Sequence, residues 1–399
     1  MSDKLSSLFK NNSLVNCFCS SISKQNNDFE TKSFAFGNRK KGIDDPISGD
    51  SIFRIFSMSK VVTTIAVMQL VEKGELNLDE PVENILPYIK RVPILSEDNK
   101  FVKQKKSITL RNLLSHTSGF SYSSSVMETS KRMKNLSASK KLYLSLKGYR
   151  TKGSIFNKGP RLFEAGTNIK YGTGIGIAGN MLEKVTGIGL DRYCKENIFK
   201  PLGMENTFFE IPDEKQDNLV GMYIRRGKNS DKFSELPLSI PPLKRTFFNK
   251  IIFGGFYGGT DVFSSPNDFS ILVKCLLNKG TYNDFELLKK ETIEEMSKPG
   301  PGSYDDMWDR DDNPQYVMGE NTRLKSNRNK YGLGLTVSYD NESYRPAGSV
   351  CHGGAGNTFF SLNYEENKAA VIFSNFYPYN DPEWFEMLKE LEFFTYAKN

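Results

Sequence analysis

At 399 residues, 38% hydrophobic and 25% charged, the chain has length for one large domain or two packed ones, and its composition argues against disorder. Its net charge of +7 is split among Arg39-Lys40-Lys41, Lys103 to Lys106, Arg225-Arg226 and Lys289-Lys290, with acidic residues between, so no nucleic-acid-binding face is expected. No stretch approaches the roughly 20 apolar residues of a membrane span. Met1 to Asn12 carries lysines with no signal-like apolar run behind them, so a cytoplasmic protein is expected.

Leu14 to Ile22 and Phe29 to Phe36 read as two strands, joined by polar Gln25-Asn26-Asn27-Asp28. Ser51 to Phe56 reads as another short strand. The period then changes: Val61, Ile65, Met68 and Val71 recur at helical spacing between Met58 and Lys73, and Gly74 stops the run. From about Asp79 to Lys279, short helices alternate with Gly, Pro and Asn breaks. Thr109 caps Leu110 to Ser115, and Ser265 with Pro266 opens a helix that Gly280 closes. Asp305 to Asn329 is polar and irregular, the pattern of a long surface loop. Strand patterns return at Leu335 to Tyr339, Ser349 to His352, Thr358 to Tyr364 and Ala369 to Ser374, and Asp381-Pro382 starts an amphipathic helix through Tyr396. Strands at both ends around a helical middle predict an α/β fold of the α+β type, with a central antiparallel sheet and flanking helices. Residues 1–80 and 285–399 are expected to build it, with 81–284 as an inserted, mostly helical domain.

The five cysteines, Cys17, Cys19, Cys194, Cys275 and Cys351, are odd in number and lack zinc or redox spacing, so buried free thiols are expected. His116 and His352 are the only histidines, too few for a histidine-rich metal site, and no metal or organic cofactor is expected.

Ser57-Met58-Ser59-Lys60 stands where a strand meets a helix. Residues three apart share a helical face, so Ser57 and Lys60 can touch. The helix start also offers free N–H groups and partial positive charge, which suit an oxyanion. A serine hydroxyl needs a base to take its proton, and a lysine serves only if burial lowers its pKa. The same Ser-x-x-Lys spacing recurs at Ser7, Ser21 and Ser137, as composition alone allows, but only Ser57 has the strand-to-helix context. The chain contains no Gly-x-Ser-x-Gly elbow.

Phe53 to Lys60 (FRIFSMSK), the helix to Gly74 and Leu76 to Val82 (LNLDEPV) resemble the serine β-lactamase and penicillin-binding superfamily. The likeness is to its class C β-lactamase-like branch, which includes the family VIII carboxylesterases. Further segments match in order: Ile108 to Phe120, Phe163 to Lys184, Asn197 to Thr207, Gly258 to Phe269, Tyr331 to Leu335 and His352 to Phe359. The resemblance implies Ser57 as nucleophile, Lys60 as its base and Tyr171 as the phenol that carries the proton to the leaving group. It also implies an oxyanion hole from the N–H groups of Ser57 and Ala355, and a substrate-lining set of His352, Gly353, Gly354 and Thr173.

Two departures bear on substrate. Penicillin-hydrolysing relatives carry asparagine where this chain has Thr173, and a lysine where it has His352, a residue expected to be mostly neutral at pH 7. Both move the expected substrate from β-lactams toward small uncharged esters, hydrolysed through an acyl-Ser57 intermediate. A β-lactamase or D-Ala-D-Ala peptidase, an acyltransferase using the same acyl-enzyme, and an inactive binding protein on this scaffold are the alternatives. Relatives of this type also usually begin with a longer helix, for which only Asp3 to Lys10 is available here. In the matched segment Leu113 to Gly119, His116 is expected to be structural, holding the loop at the cleft edge, while Gly258 to Asp261 and Tyr331 to Gly334 are expected to serve packing and Cys351 to be inert core.

Overall fold

Seven strands pair antiparallel in the order β3-β4-β5-β6-β7-β1-β2. They are β1 (Asn16–Gln25), β2 (Asp28–Gly37), β3 (Lys330–Tyr331), β4 (Thr336–Ser338), β5 (Ser349–Gly354), β6 (Thr358–Asn363) and β7 (Lys368–Phe373). The N-terminal hairpin is thus zipped onto the last strand, and both ends of the chain build one sheet. The protein is seen here as a computed structural model, which describes residues 7, 12–26, 28–122, 137–139, 160–227, 231–236, 256–301, 329–339 and 345–397. The helix expected within Asp3 to Lys10, apart from Ser7, and the loop expected at Asp305 to Asn329, apart from Asn329, lie outside the described residues.

Strand alternation sends neighbouring side chains to opposite faces of the sheet. Phe18, Ile22, Phe360, Leu362, Val371 and Phe373 enter the larger core, which they share with helices α1 (Ser59–Glu72) and α4 (Pro266–Leu277). Cys17, Cys19, Cys351, Phe359 and Ile372 face the other way, onto Trp384, Leu388 and Leu391 of α5 (Pro382–Tyr396). All five cysteines are free and buried. Helix α4 lies inside the segment expected to form the inserted domain, yet it packs on the sheet itself. Its Phe269 ring stands 5.6 Å from that of Phe360 and 5.9 Å from that of Phe373.

The helix ends are capped as their sequences dictate. Before α2 (Leu110–Leu114), Thr109 Oγ1 accepts the Asn112 N–H (3.2 Å) while Asn112 Oδ1 accepts the Thr109 N–H (3.1 Å). Ser265 Oγ accepts from the Asp268 N–H at the start of α4, and Asp381 Oδ1 from the Glu383 and Trp384 N–H groups at the start of α5.

Helix α1 forms over the run that its apolar spacing marks. Every residue from Ser59 to Leu70 is buried, the polar ones included. Those polar side chains bind neighbouring main chain: Ser59 Oγ accepts the Val262 N–H (3.0 Å) and Thr63 Oγ1 donates to the Gly258 carbonyl (2.7 Å). A central helix with one polar flank turned inward needs such partners. Helix α3 (Gly174–Thr186) packs beside it.

Candidate active site

The short strand Phe53–Arg54 pairs with Phe263–Ser264 and leads directly into the site. Asn375 fixes its end, accepting the Arg54 N–H (2.9 Å) and donating to the Arg54 carbonyl (3.1 Å). Phe56 then takes a left-handed φ of +45°, rare for a bulky side chain, and the chain enters a 3₁₀ turn over Phe56–Met58 before α1 begins. The turn places Ser57 just ahead of the helix. It is the one residue between Ser51 and Leu70 that is not buried.

Lys60, one turn on, lies 3.2 Å from Ser57 Oγ through its Nζ and donates to the Gly259 carbonyl at 2.8 Å. The side chain is fully buried, and burial lowers its pKa from 10.5 to about 7. Aromatic rings surround the ammonium: Nζ is 4.9 Å from the centre of the Tyr171 ring and 5.8 Å from that of Tyr122. One nitrogen therefore contacts the hydroxyl of Ser57 and the phenol ring of Tyr171.

Tyr171 sits in a segment pressed against other backbone. A Cβ on Gly172 would stand 2.2 Å from the Phe120 carbonyl oxygen, so only glycine permits this approach. The strand β5 packs against the turn that holds Ser57. A Cβ on Gly354 would lie 2.2 Å from the Ile55 oxygen, and Thr358 Oγ1 donates to that same oxygen (3.3 Å). Gly353 and Ala355, either side of Gly354, are half-buried beside the serine turn. Thr173, expected to line the substrate space, is fully buried with no hydrogen-bond partner for its hydroxyl among the described residues, and presents no surface to a ligand.

His352 differs from a lysine in more than charge. Its Nδ1 lies 2.8 Å from the Gly353 carbonyl, which can only accept, so the ring proton is on Nδ1. Its Nε2, 3.1 Å from Tyr331 Oη, is then the acceptor of the Tyr331 hydroxyl proton. Both ring nitrogens are thus engaged inside the protein. Burial, and next the charge of Lys60, push the His352 pKa down to about 3, against the opposing effect of the Gly353 hydrogen bond. Position 352 offers a substrate neither a cation nor a free ring nitrogen at neutral pH.

Residues 25–385 match the Beta-lactamase family. The chain belongs to the Beta-lactamase family. Its fold is that of the serine-type, acyl-enzyme-forming β-lactamase enzymes. Monacolin J acid methylbutanoyltransferase of Aspergillus terreus is 26% identical over 377 residues, covering 88% of this chain and 84% of the relative. The solved structure of unliganded simvastatin synthase from Aspergillus terreus superposes with a TM-score of 0.78 at 23% identity, covering 100% of this chain and 99% of that one. EstCE1, described as a hydrolase with promiscuous acyltransferase activity, gives a TM-score of 0.73 at 19% identity, with 99% and 98% covered. Both structural likenesses speak for the shared fold alone.

Within this family member, sequence reasoning overlooked several contributors to the site. Gly259 and Tyr331, expected as packing residues, bind Lys60 and His352 directly. The Tyr122 ring centre lies 5.8 Å from both the Tyr171 ring and Lys60 Nζ, and burial holds the Tyr122 phenol far above its usual pKa. Motif position marked Tyr331 and Gly259; the directions of their polar atoms were not encoded there. His116 lies with its ring 4.5 Å from the Tyr171 ring, well inside the site. Cys351 faces the opposite core with its thiol pushed up to about 11 by burial, and is no competing nucleophile. Among the described residues, no cluster of three or more His, Cys, Asp or Glu side chains is placed to hold a metal ion, and no helix is long and apolar enough to cross a membrane.

Proposed function

We propose that this chain transfers short acyl groups through an acyl-Ser57 intermediate, from an uncharged ester-type donor to an alcohol acceptor, with water as the competing acceptor. The observation that carries the acyl-serine chemistry is the contact of a fully buried Lys60 Nζ with Ser57 Oγ at 3.2 Å. A lysine with a pKa near 7 is substantially unprotonated at neutral pH and takes the serine proton. Ser57 Oγ then bonds to the donor's carbonyl carbon. The N–H groups of Ser57 and Ala355 receive the oxyanion, at about 3 kcal/mol per donor. As the bond to the leaving oxygen breaks, Tyr171 gives that oxygen a proton, which Lys60 restores to the phenol. In the second half the acceptor hydroxyl loses its proton along the same path, and its oxygen takes the acyl group from Ser57.

The choice of a neutral donor rests on position 352. A β-lactam carries a carboxylate, and a histidine neutral above about pH 3 with both nitrogens engaged gives it no counter-charge. The preference for transfer over plain hydrolysis is supported by the methylbutanoyltransferase among the relatives, which is named for moving an acyl group. Hydrolysis differs only in the acceptor of the second step.

The test is a partition experiment. With p-nitrophenyl butyrate as donor, rising concentrations of a panel of alcohols should speed p-nitrophenol release and yield butyrate esters of one or more of them, read by mass spectrometry. Butyrate as sole product at every acceptor concentration would return the reading to esterase. Nitrocefin turnover at or above ester turnover would return it to β-lactamase.

A further inference from the structure

Both histidines of the chain are buried at the site, and Tyr331 lies between them. Its hydroxyl meets His352, while its ring centre is 4.7 Å from that of His116. His116 itself holds the chain on both sides of Tyr171. Its carbonyl accepts the Lys170 N–H (2.9 Å), and its Nδ1 accepts the Gly172 N–H (3.3 Å). The residue adopts a left-handed φ of +59°, uncommon outside glycine but tolerated by histidine better than by most side chains.

We infer that His116 is a positioning residue for Tyr171, gripping the peptides before and after it, and that the two histidines work as neutral rings in opposite tautomers. The inference rests on the reading above in which Tyr171 moves the proton. A backbone N–H can only donate, so Nδ1 of His116 carries no proton and Nε2 does. At His352 the same logic places the proton on Nδ1. An imidazolium at 116 has no lone pair for the Gly172 N–H and would break one side of the grip. Burial keeps the ring neutral, and the charge of Lys60 adds to the effect. The grip matters because a phenol must lie within hydrogen-bond reach of the proton it moves, and small displacements of such a group are costly to rate.

The tautomers are directly observable. With only two histidines in the chain, protein grown with ¹⁵N-labelled histidine gives two ring systems in long-range ¹H–¹⁵N correlation spectra, and the one lost in His116→Asn belongs to position 116. The expected spectrum shows a protonated Nε2 at His116 and a protonated Nδ1 at His352, unchanged between pH 6 and 8. A protonated Nδ1 at His116, in either the neutral or the charged ring, would overturn the grip.

Kinetics test its purpose. His116→Phe keeps a ring but has no acceptor, and kcat should fall about 10- to 100-fold with KM little changed, a part of the usual worth of a positioned acid–base group. His116→Asn offers a side-chain oxygen near the place of Nδ1 and tolerates a positive φ, so it should recover most of that loss. In Tyr171→Phe, adding His116→Phe should cost nothing further, because both act through one phenol. Losses that multiply would mean that His116 serves the fold alone, and would overturn the positioning role. Near-wild-type turnover in Tyr171→Phe would end the role of Tyr171, and of its positioning, while the spectrum still reports whether the grip exists.

Discussion

Replacing Lys60 by methionine should abolish turnover and make the protein more stable. Burial takes the lysine pKa from 10.5 to about 7, and at about 1.4 kcal/mol per pH unit that is a penalty of about 5 kcal/mol when the group is charged. Below pH 7 the lysine is protonated in both folded and unfolded chains, so the full penalty applies. Between pH 7 and 10.5 only the unfolded chain holds the proton, and stability rises with pH. Above 10.5 neither form is charged and the penalty is gone. Methionine fills a similar volume without charge, but it leaves the Gly259 carbonyl without the 2.8 Å donor it now has. A buried acceptor left unpaired costs about 1–3 kcal/mol. The net gain is therefore about 2–4 kcal/mol below pH 7, shrinking toward zero near pH 9.5. Urea unfolding of wild type and Lys60→Met at pH 6, 7.5 and 9.5 measures it, provided each transition is cooperative. A variant less stable than wild type at pH 6, or a gap that does not close as pH rises, would refute the reasoning.

Other outcomes follow from the same geometry. If neutral Lys60 is the base, kcat/KM for a neutral ester should fall about tenfold per unit as pH drops below about 7; a flat profile down to pH 5 would exclude it. His352→Lys places a second ammonium near Lys60, and like charge disfavours protonation, so the acid limb should move to lower pH. An unmoved limb in that variant would show that the two positions are not electrostatically coupled.

The contact between Ser57 and Lys60 was legible in the sequence because it is local: three residues along a helical turn bring two side chains together whatever the rest of the chain does. The strands were legible for a similar reason. Alternation put Phe18 and Cys17, or Phe359 and Phe360, on opposite faces, and both faces of the sheet proved to be covered. Helix α1 was found by its apolar spacing, which says nothing of where its polar residues point, and they too are buried. Lys60, Thr63 and Ser59 are polar because buried carbonyls and an N–H of residues 258–262 need partners.

What escaped the sequence is long-range. Tyr331 reaches His352 only through the strand register, in which Tyr331 pairs with Thr336 and Thr336 with Cys351. No spacing announces such a contact. The identity of position 352 suggested a neutral group at pH 7, but the two hydrogen bonds that engage its ring are tertiary facts. Thr173 illustrates the converse: a motif position placed it at the substrate, and packing at the start of α3 buried it.

The central claim is that Ser57 becomes acylated, and covalent labelling tests it most directly. A fluorophosphonate probe followed by intact-mass measurement and peptide mapping should give one adduct per chain, on the peptide holding Ser57, and none in Ser57→Ala. Labelling that persists undiminished in Ser57→Ala, or an adduct on another residue, would contradict the account.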